Sequence, residues 1–214
     1  MSDIKIATFE TRDDFASIEK KRGQNMPKWT AANAVYHVYF RLEDSLPTKV
    51  REELRTEKER VLNIVDSREF PVTKFEKRRL LELLSEKYDR KLDAGYGACW
   101  LKDPRVRDEM IETIKIFEGQ KYRLFAWCVM PNHVHIAFQP IGEFTVPSIL
   151  HSWKSYTAKA ANKILGPKGK FWQDDYFSRI LRNEDEIRHC IDYIYSNPDK
   201  AGLANWPWRD RRDI

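Results

Sequence analysis

The pattern of apolar and polar positions predicts short strands separated by longer amphipathic helices. Residues 34–42 (AVYHVYFRL) are rich in β-branched and aromatic residues, and residues 122–130 (YRLFAWCVM) form an almost unbroken apolar run. Both patterns are typical of strands. Residues 133–138 continue as a strand after the turn-prone Pro131–Asn132 pair, and residues 176–181 give another short one. This part of the chain therefore predicts four strands.

Helical spacing of apolar residues separates these strands. Residues 49–65 and 73–91 carry charges of alternating sign and are predicted to form an inserted, solvated helical pair. Asp103 is predicted to cap a helix that has Pro104 at its first position and ends at Gly119. This helix precedes the apolar strand at residues 122–130.

Two more helices are predicted at residues 147–165 and, capped by Asn183, up to Pro198. With the insertion removed, the order is βαββαβ, which is the order of an α+β ferredoxin-like sandwich with an antiparallel sheet and helices on one face. The extra C-terminal helix is expected to close over the sheet. The expected organisation is an N-terminal arm (1–30), one domain (31–204) with a helical insertion (about 48–92), and a C-terminal tail (205–214).

Composition narrows the class of protein. The 214 residues are 42% hydrophobic and 33% charged, which excludes a disordered or collagenous chain. No apolar run approaches the roughly 20 residues that a membrane span needs, and acidic residues occupy the start of the chain, where a secretory signal is apolar. We expect a soluble, cytoplasmic protein without a membrane partner. Its widely spaced cysteines, Cys99, Cys128 and Cys190, are predicted to be reduced and buried.

The positive charge is concentrated in one stretch. Residues 150–182 hold seven basic and two acidic residues, and therefore account for the whole net charge of +5. Aromatic residues are interleaved with the basic ones, a combination that suits single-stranded nucleic acid, although a merely solvated face is the alternative. The candidate DNA-binding residues are Lys154, Tyr156, Lys159, Lys168, Lys170, Trp172 and Arg179.

Two histidines provide candidate metal ligands. His133 and His135 flank Val134 on a predicted strand, and residues i and i+2 of a strand share one face. Paired imidazoles on a rigid strand make a good half of a divalent-metal site. The alternative is a pair of surface histidines without a ligand.

The last helix presents a polar ridge beside its buried stripe. At about 100° per residue, His189, Tyr193 and Asn197 line one flank of the apolar residues, whereas Tyr195 falls on the other flank. If this ridge faces the histidines, Asn197 supplies a carbonyl oxygen one turn from the Tyr193 phenol. A half-buried packing tyrosine is the alternative. For His189, a proton relay or phosphate contact and a mere capping role are both open.

Four segments, in this order and spacing, resemble the REP-associated tyrosine transposases, which belong to the single-tyrosine branch of the HUH endonuclease superfamily. These segments are YFRLEDSLP (39–47), AWCVMPNHVHI (126–136), FWQDDYF (171–177) and YIYSNPDKAGL (193–203). The resemblance runs from about residue 29 to residue 208 and weakens over the helical insertion. The sequence departs from common family members at Ser178, where Asp is frequent, and at Asp199, where Val is usual.

The resemblance implies a catalytic role for Tyr193, His133 and His135. It makes Tyr193 the nucleophile and His133, His135 and Asn197 the ligands of Mg²⁺ or Mn²⁺. Cleavage then leaves a 5′-phosphotyrosine and a free 3′-hydroxyl, and the covalent bond removes the need for a nucleotide cofactor. The expected substrate is single-stranded DNA near a small hairpin.

Two rival functions stay open at this stage. One is a non-catalytic, regulatory DNA-binding protein, and the other is a metal-dependent phosphoesterase that activates water through the histidine pair. The sequence does not separate a monomer from a homodimer.

Overall fold

The computed structural model describes residues 6–8, 19–21, 28–66, 87–167 and 169–214. The chain divides into two compact units, Met1–Glu43 with Trp100–Ile214, and Asp44–Cys99. The first unit contains the sheet and all of the candidate site residues. Among the helices of the described residues, none combines the length and the apolar character that crossing a bilayer requires.

A five-stranded antiparallel sheet forms the centre of the first unit. Its strands are β3 (Val35–Arg41), β4 (Tyr122–Val129), β5 (His133–Pro140), β6 (Phe177–Leu181) and β7 (Arg209–Arg211). Their order in the sheet is β6-β3-β5-β4-β7. Without β7, the connectivity and the strand order are those of a ferredoxin-like sandwich. The predicted fold class is therefore confirmed.

The helices begin at side chains that accept hydrogen bonds from free backbone N–H groups. Asp103 accepts from the backbone N–H of Arg105, as expected of the predicted cap. Thr145 and Ser148 form a reciprocal capping box. The helices are α1 (Thr48–Asp66), α2 (Pro104–Lys115), α3 (Val146–Leu165) and α4 (Glu184–Lys200). A 3₁₀ turn covers Trp100–Lys102.

The two faces of the sheet bury different sets of side chains. Val134, Ile136 and Phe138 of β5 join the apolar core that includes Met110 of α2 and Trp153 of α3. On the other face, a second core contains residues of β4 and α4, namely Phe125, Cys128, Ile187, Ile191 and Ile194. Since neighbouring strand residues alternate between faces, His133 and His135 lie on the face that α4 covers. All three cysteines are buried, and none forms a disulfide bond within the described residues, as predicted.

Several boundaries differ from the prediction, and helix α2, predicted to end at Gly119, ends at Lys115. Helix α4 does not end at Pro198 but continues to Lys200. Proline lacks only its own N–H, and the chain beyond it still bonds backward, since Ala201 donates to the carbonyl of Asn197 and Leu203 donates to that of Pro198. In addition, residues 209–211 of the predicted tail form β7 and pair with β4.

The N-terminal residues also contain a short sheet where an irregular arm was predicted. Strand β1 (Glu19–Lys21) pairs antiparallel with β2 (Lys28–Thr30). The charged composition of this segment carries no alternating pattern that reveals the pairing.

The second unit is helical in its described part. Helix α1 spans Thr48–Asp66, close to the predicted residues 49–65, and residues 87–93 are also helical. Lys87 and Glu57 form an exposed ion pair with a nitrogen–oxygen distance of 3.3 Å. Most of the helix predicted at residues 73–91 lies outside the described residues.

Candidate active site

Two fully buried imidazoles lie side by side on the central strand. His133 and His135 have 0% exposed surface, and their ring centroids are 4.9 Å apart. Strand β5 lies between β3 and β4, which removes both histidines from the sheet edges. The alternative of an exposed histidine pair is therefore wrong for this structure.

Each histidine is held through its Nδ1 atom. Nδ1 of His133 lies 2.7 Å from Oδ1 of Asn132, the residue that precedes it in the turn. Nδ1 of His135 lies 3.2 Å from Nε2 of His37 on β3. Because Oδ1 of an amide can only accept, His133 donates its Nδ1 proton, and its Nε2 carries the lone pair.

Burial keeps these imidazoles neutral. Desolvation, followed by the neighbouring His135, holds the pKa of His133 well below its ordinary value. Desolvation lowers the pKa of His135 from 6.5 to about 3. For His37, burial again comes first, and then His135 and Arg179, in holding the pKa well below the ordinary value. Neutral imidazole is the form that binds a metal ion.

Tyr193 on α4 lies against this histidine cluster. Its ring centroid is 5.9 Å from the ring of His135 and 5.9 Å from that of His37, with both contacts edge-to-face. Helix α4 brings it there because Ile187, Cys190, Ile191 and Ile194 bury the adjacent stripe against the sheet. Tyr195 instead lies beneath the guanidinium groups of Arg209 and Arg211. The separation of the two tyrosines that helical geometry predicts is thus observed.

Asn197 is buried one helical turn beyond Tyr193. Asn197 is only 2% exposed, and in the described part of the chain its Nδ2 atom has no hydrogen-bond partner. Nε2 of His135 is likewise buried without one. Buried polar atoms are normally paired, so the orphaned Nε2 of His135 is consistent with a bound cation, whereas the amide N–H groups of Asn197 require a hydrogen-bond acceptor. His189, by contrast, is exposed, and its Nδ1 lies 2.7 Å from the carbonyl oxygen of Asp185 within its own helix.

The donor set fits a divalent cation only if the amide takes part. Within the residues that the structure describes, no group of three or more His, Cys, Asp or Glu side chains is placed to hold a metal ion. Two neutral imidazoles with the amide oxygen of Asn197 are suited to Mn²⁺ and, with water completing the shell, to Mg²⁺. The metal ligands therefore stay a prediction.

Several candidate DNA-binding side chains of α3 and β6 are accessible. Tyr156 is 58% exposed, and Lys159 and Arg179 are exposed as well. Lys154 instead donates to the carbonyl oxygens of Gln173 and Asp174, at 2.6 and 2.8 Å, and so fixes the loop before β6.

Lys170 and Lys168 are the remaining lysines of the predicted DNA-binding set. Lys170 is ion-paired with Asp174 at 2.5 Å and with Glu43 at 3.7 Å, so its charge is already partly neutralised within the chain. Lys168 lies outside the described residues.

Trp172 is a correction to the predicted DNA surface. Its side chain is 4% exposed, its indole N–H donates to Oγ1 of Thr157 at 2.9 Å, and its ring packs on Phe40 at 4.9 Å. The backbone bridge between Leu42 and Trp172 points the indole into the core between the sheet and α3. A base cannot stack on a ring that is already buried, so Trp172 stabilises the fold.

His37 contacts the site but is not among the candidate residues predicted from the sequence. The signal was present in the alternation of β3, because odd-numbered residues of that strand share one face. In the structure Tyr39 is the register partner of His135 and stacks on Phe177 at 4.8 Å, and His37 contacts His135 directly. What the sequence did not contain was the pairing of β3 with β5.

The comparisons with known proteins point to one family. Residues 96–197 match the family model described as "Transposase IS200 like". The chain is 31% identical over 107 residues to the REP-associated tyrosine transposase of Escherichia coli, covering 47% of this chain and 62% of that protein. The predicted resemblance is confirmed.

Other relatives share this resemblance at lower identity. A putative REP-associated tyrosine transposase of Haemophilus influenzae is 22% identical over 112 residues, covering 45% of this chain and 64% of that protein. The chain thus spans less than two thirds of the length of the curated relatives that it matches.

Two solved structures are also similar. One is a REP-associated tyrosine transposase bound to a REP hairpin, with 19% identity, a TM-score of 0.45 and coverage of 89% of this chain and 81% of that one. The other is a putative transposase from Deinococcus radiodurans, with 14% identity, a TM-score of 0.32 and coverage of 83% and 97%.

Proposed function

We propose that this protein is a transposase that cuts and rejoins single-stranded DNA through a tyrosine nucleophile. The observation that carries the proposal is the position of Tyr193, whose ring lies 5.9 Å from the buried His135 in the same chain. Asn197 is buried one turn further along α4, and its amide oxygen is the atom that could ligate a cation. A phenol beside a candidate metal site is the arrangement that nucleophilic phosphodiester cleavage requires.

The reaction has a simple balance. Oη of Tyr193 attacks the scissile phosphorus and loses its proton, while the bond from phosphorus to the 3′ oxygen breaks and that oxygen takes up a proton. The products are a 5′-phosphotyrosine and a free 3′-hydroxyl. The phosphodiester energy is kept in the new bond, so rejoining needs no nucleotide cofactor.

His133, His135 and Asn197 would hold the divalent cation, which when bound supplies charge neutralisation on the non-bridging phosphate oxygens. The protein itself supplies the placement and the protonation state of these side chains. The sheet and α4 hold the imidazoles and the phenol on rigid elements, and burial keeps the imidazoles neutral and therefore able to ligate.

We infer that Tyr193 acts on DNA held by its own chain. The contact between Tyr193 and His135 is formed within one chain, so a single protomer contains the nucleophile together with both candidate histidine ligands. This supports a monomer as the catalytic unit, and a homodimer with exchanged helices is the alternative that a mixing experiment with inactive variants separates.

The DNA would contact exposed side chains on both sides of the sheet. Arg179 of β6 is the register partner of His37 and so lies on the face that carries the histidine cluster, whereas Lys159 and Tyr156 are accessible on α3, which covers the opposite face. Lysine and arginine side chains track phosphates, and an exposed tyrosine can stack on an unpaired base. From the resemblance, we propose single-stranded DNA beside a hairpin as the substrate.

The test is a covalent-adduct assay with the full chain. The protein is incubated with an end-labelled, hairpin-bearing single-stranded oligonucleotide and Mn²⁺ or Mg²⁺, denatured, and resolved by electrophoresis. We expect an adduct that Tyr193→Phe abolishes and that Tyr195→Phe retains, since Tyr195 lies on the opposite flank of α4 beneath two arginines. Cleavage without an adduct supports a water-activating phosphoesterase instead, and binding without cleavage supports a regulatory DNA-binding protein.

A further inference from the structure

His37 is a third buried imidazole at the site, and the reaction as derived above does not use it. It lies on β3, is 6% exposed, and stacks on His135 with ring centroids 5.5 Å apart and planes inclined by 20°. Its Nε2 is 3.2 Å from Nδ1 of His135. This distance is that of a hydrogen bond between two side chains that can each donate or accept.

In a hydrogen bond between two neutral imidazoles, one ring donates its N–H proton and the other ring accepts it. If His37 donates that proton, His135 carries its own proton on Nε2. This nitrogen is buried and has no hydrogen-bond partner among the described residues, and once protonated it can bind no metal ion. If His135 donates from Nδ1, its Nε2 keeps the lone pair that a cation requires. The direction of this one hydrogen bond therefore decides whether His135 is a ligand.

The neighbouring histidine shows the same arrangement with a fixed direction. Nδ1 of His133 lies 2.7 Å from Oδ1 of Asn132, an atom that only accepts. His133 is thus held with Nε2 as the unprotonated nitrogen. A cation bound by both histidines requires the same tautomer at His135. His37 is the residue placed to accept the Nδ1 proton of His135.

We propose that His37 is a positioning residue that accepts the Nδ1 proton of His135 and so reserves Nε2 of His135 for a divalent cation. This inference rests on the proposed function, because it assumes a cation at the histidine pair. Partners of this kind orient a metal-ligating imidazole and increase its basicity, and their loss typically costs about 10–100-fold in metal affinity.

Two variants separate hydrogen bonding from packing. In His37→Gln the amide oxygen reaches about as far as the imidazole Nε2 and still accepts, whereas His37→Leu fills the buried position with an apolar side chain and removes the acceptor. Mn²⁺ binding is measured on the full chain by the electron paramagnetic resonance signal of the free ion. We expect affinity to fall about 10–100-fold in His37→Leu and to stay within a few-fold of the original in His37→Gln.

A second measurement needs no variant. Long-range ¹H–¹⁵N correlation spectra of the metal-free protein report which nitrogen of His135 carries the proton, and we expect Nδ1. A proton on Nε2 of His135, or unchanged Mn²⁺ affinity in a folded His37→Leu, overturns the role of His37. Absence of Mn²⁺ binding by the unmodified chain instead overturns the metal site and with it the metal-dependent part of the proposed function, so the two failures are distinguishable.

Discussion

Tyr193 and His135 meet edge-to-face, with ring centroids 5.9 Å apart and planes inclined by 83°, although 58 positions separate them in the sequence. The contact exists because the apolar stripe of α4 packs on the face of the sheet that carries the odd-numbered residues of β5 near the histidines. The helix thereby presents the polar ridge next to its stripe to the buried imidazoles. Strand periodicity puts His135 on the sheet face that α4 covers, and helical periodicity puts Tyr193 on the flank of α4 beside its buried stripe.

Replacing Asn197 with leucine is expected to increase the stability of the protein and to abolish its activity. Within the part of the chain that the structure describes, the buried Nδ2 of Asn197 has no hydrogen-bond partner, and an apolar side chain of similar volume removes that unsatisfied group. We expect the free energy of unfolding of the metal-free protein, measured in urea, to rise by about 1 kcal/mol. Adduct formation should be lost. A large loss of stability would show that the amide is already well hydrogen-bonded.

The stability of the metal-free protein should fall as the pH decreases below neutrality. The pKa values of His37, His133 and His135 are depressed in the folded state, that of His135 to about 3, so the unfolded chain binds more protons once the pH falls below about 6.5. Each such histidine then costs up to about 1.4 kcal/mol per pH unit. Urea unfolding between pH 7 and pH 4.5 checks this slope.

A single variant identifies the source of that slope. His135→Gln removes one of the three titrating imidazoles while retaining a buried polar side chain, and we expect the decline of the unfolding free energy with falling pH to become shallower. An unchanged slope in this variant would show that other groups, the carboxylates above all, govern the acid sensitivity.

The two aromatic residues predicted to stack on DNA should behave differently. Tyr156 is 58% exposed, so Tyr156→Ala is expected to weaken single-stranded DNA binding by about 1–3 kcal/mol with little change in stability. Trp172 is 4% exposed, so Trp172→Ala should lower the free energy of unfolding by about 3–5 kcal/mol. Fluorescence anisotropy with a labelled oligonucleotide and urea unfolding measure the two effects, and the reverse outcome would restore Trp172 to the binding surface.

The contrast between these aromatics shows what a single sequence can predict. The face shared by His133 and His135 follows from the two-residue period of a strand, and the flank shared by Tyr193 and Asn197 follows from the helical period, so local geometry suffices for each. Trp172 lies in a loop without either period, and its bridge to Leu42 and its hydrogen bond to Thr157 make it a core residue. His37 reaches the site through strand pairing, which joins distant segments.

The same reason explains the missed strand at the C-terminus. Residues Arg209–Arg211 (RDR) carry no apolar alternation, and their strand conformation depends on the edge of β4 that they cover. Arg209 also donates to the carbonyl of Tyr195 and to Asp199, at 2.6 Å in each case. Non-local hydrogen bonds of this kind leave no signature in the composition of the segment itself.

Lys200 supplies a positive charge next to the nucleophile, with Nζ 4.6 Å from the ring centroid of Tyr193. Negative charge develops on the phenol oxygen and on the phosphate during attack, and a nearby ammonium group stabilises both. Because Lys200 is exposed, the effect should be smaller than that of a buried donor. We expect Lys200→Met to slow single-turnover adduct formation by about tenfold. Lys200→Arg, which keeps the charge, should restore most of the rate, and DNA affinity measured in parallel separates a rate effect from weakened binding. Equal rates for the methionine and arginine variants would exclude an electrostatic role and reduce the contact to packing of the lysine stem on the Tyr193 ring.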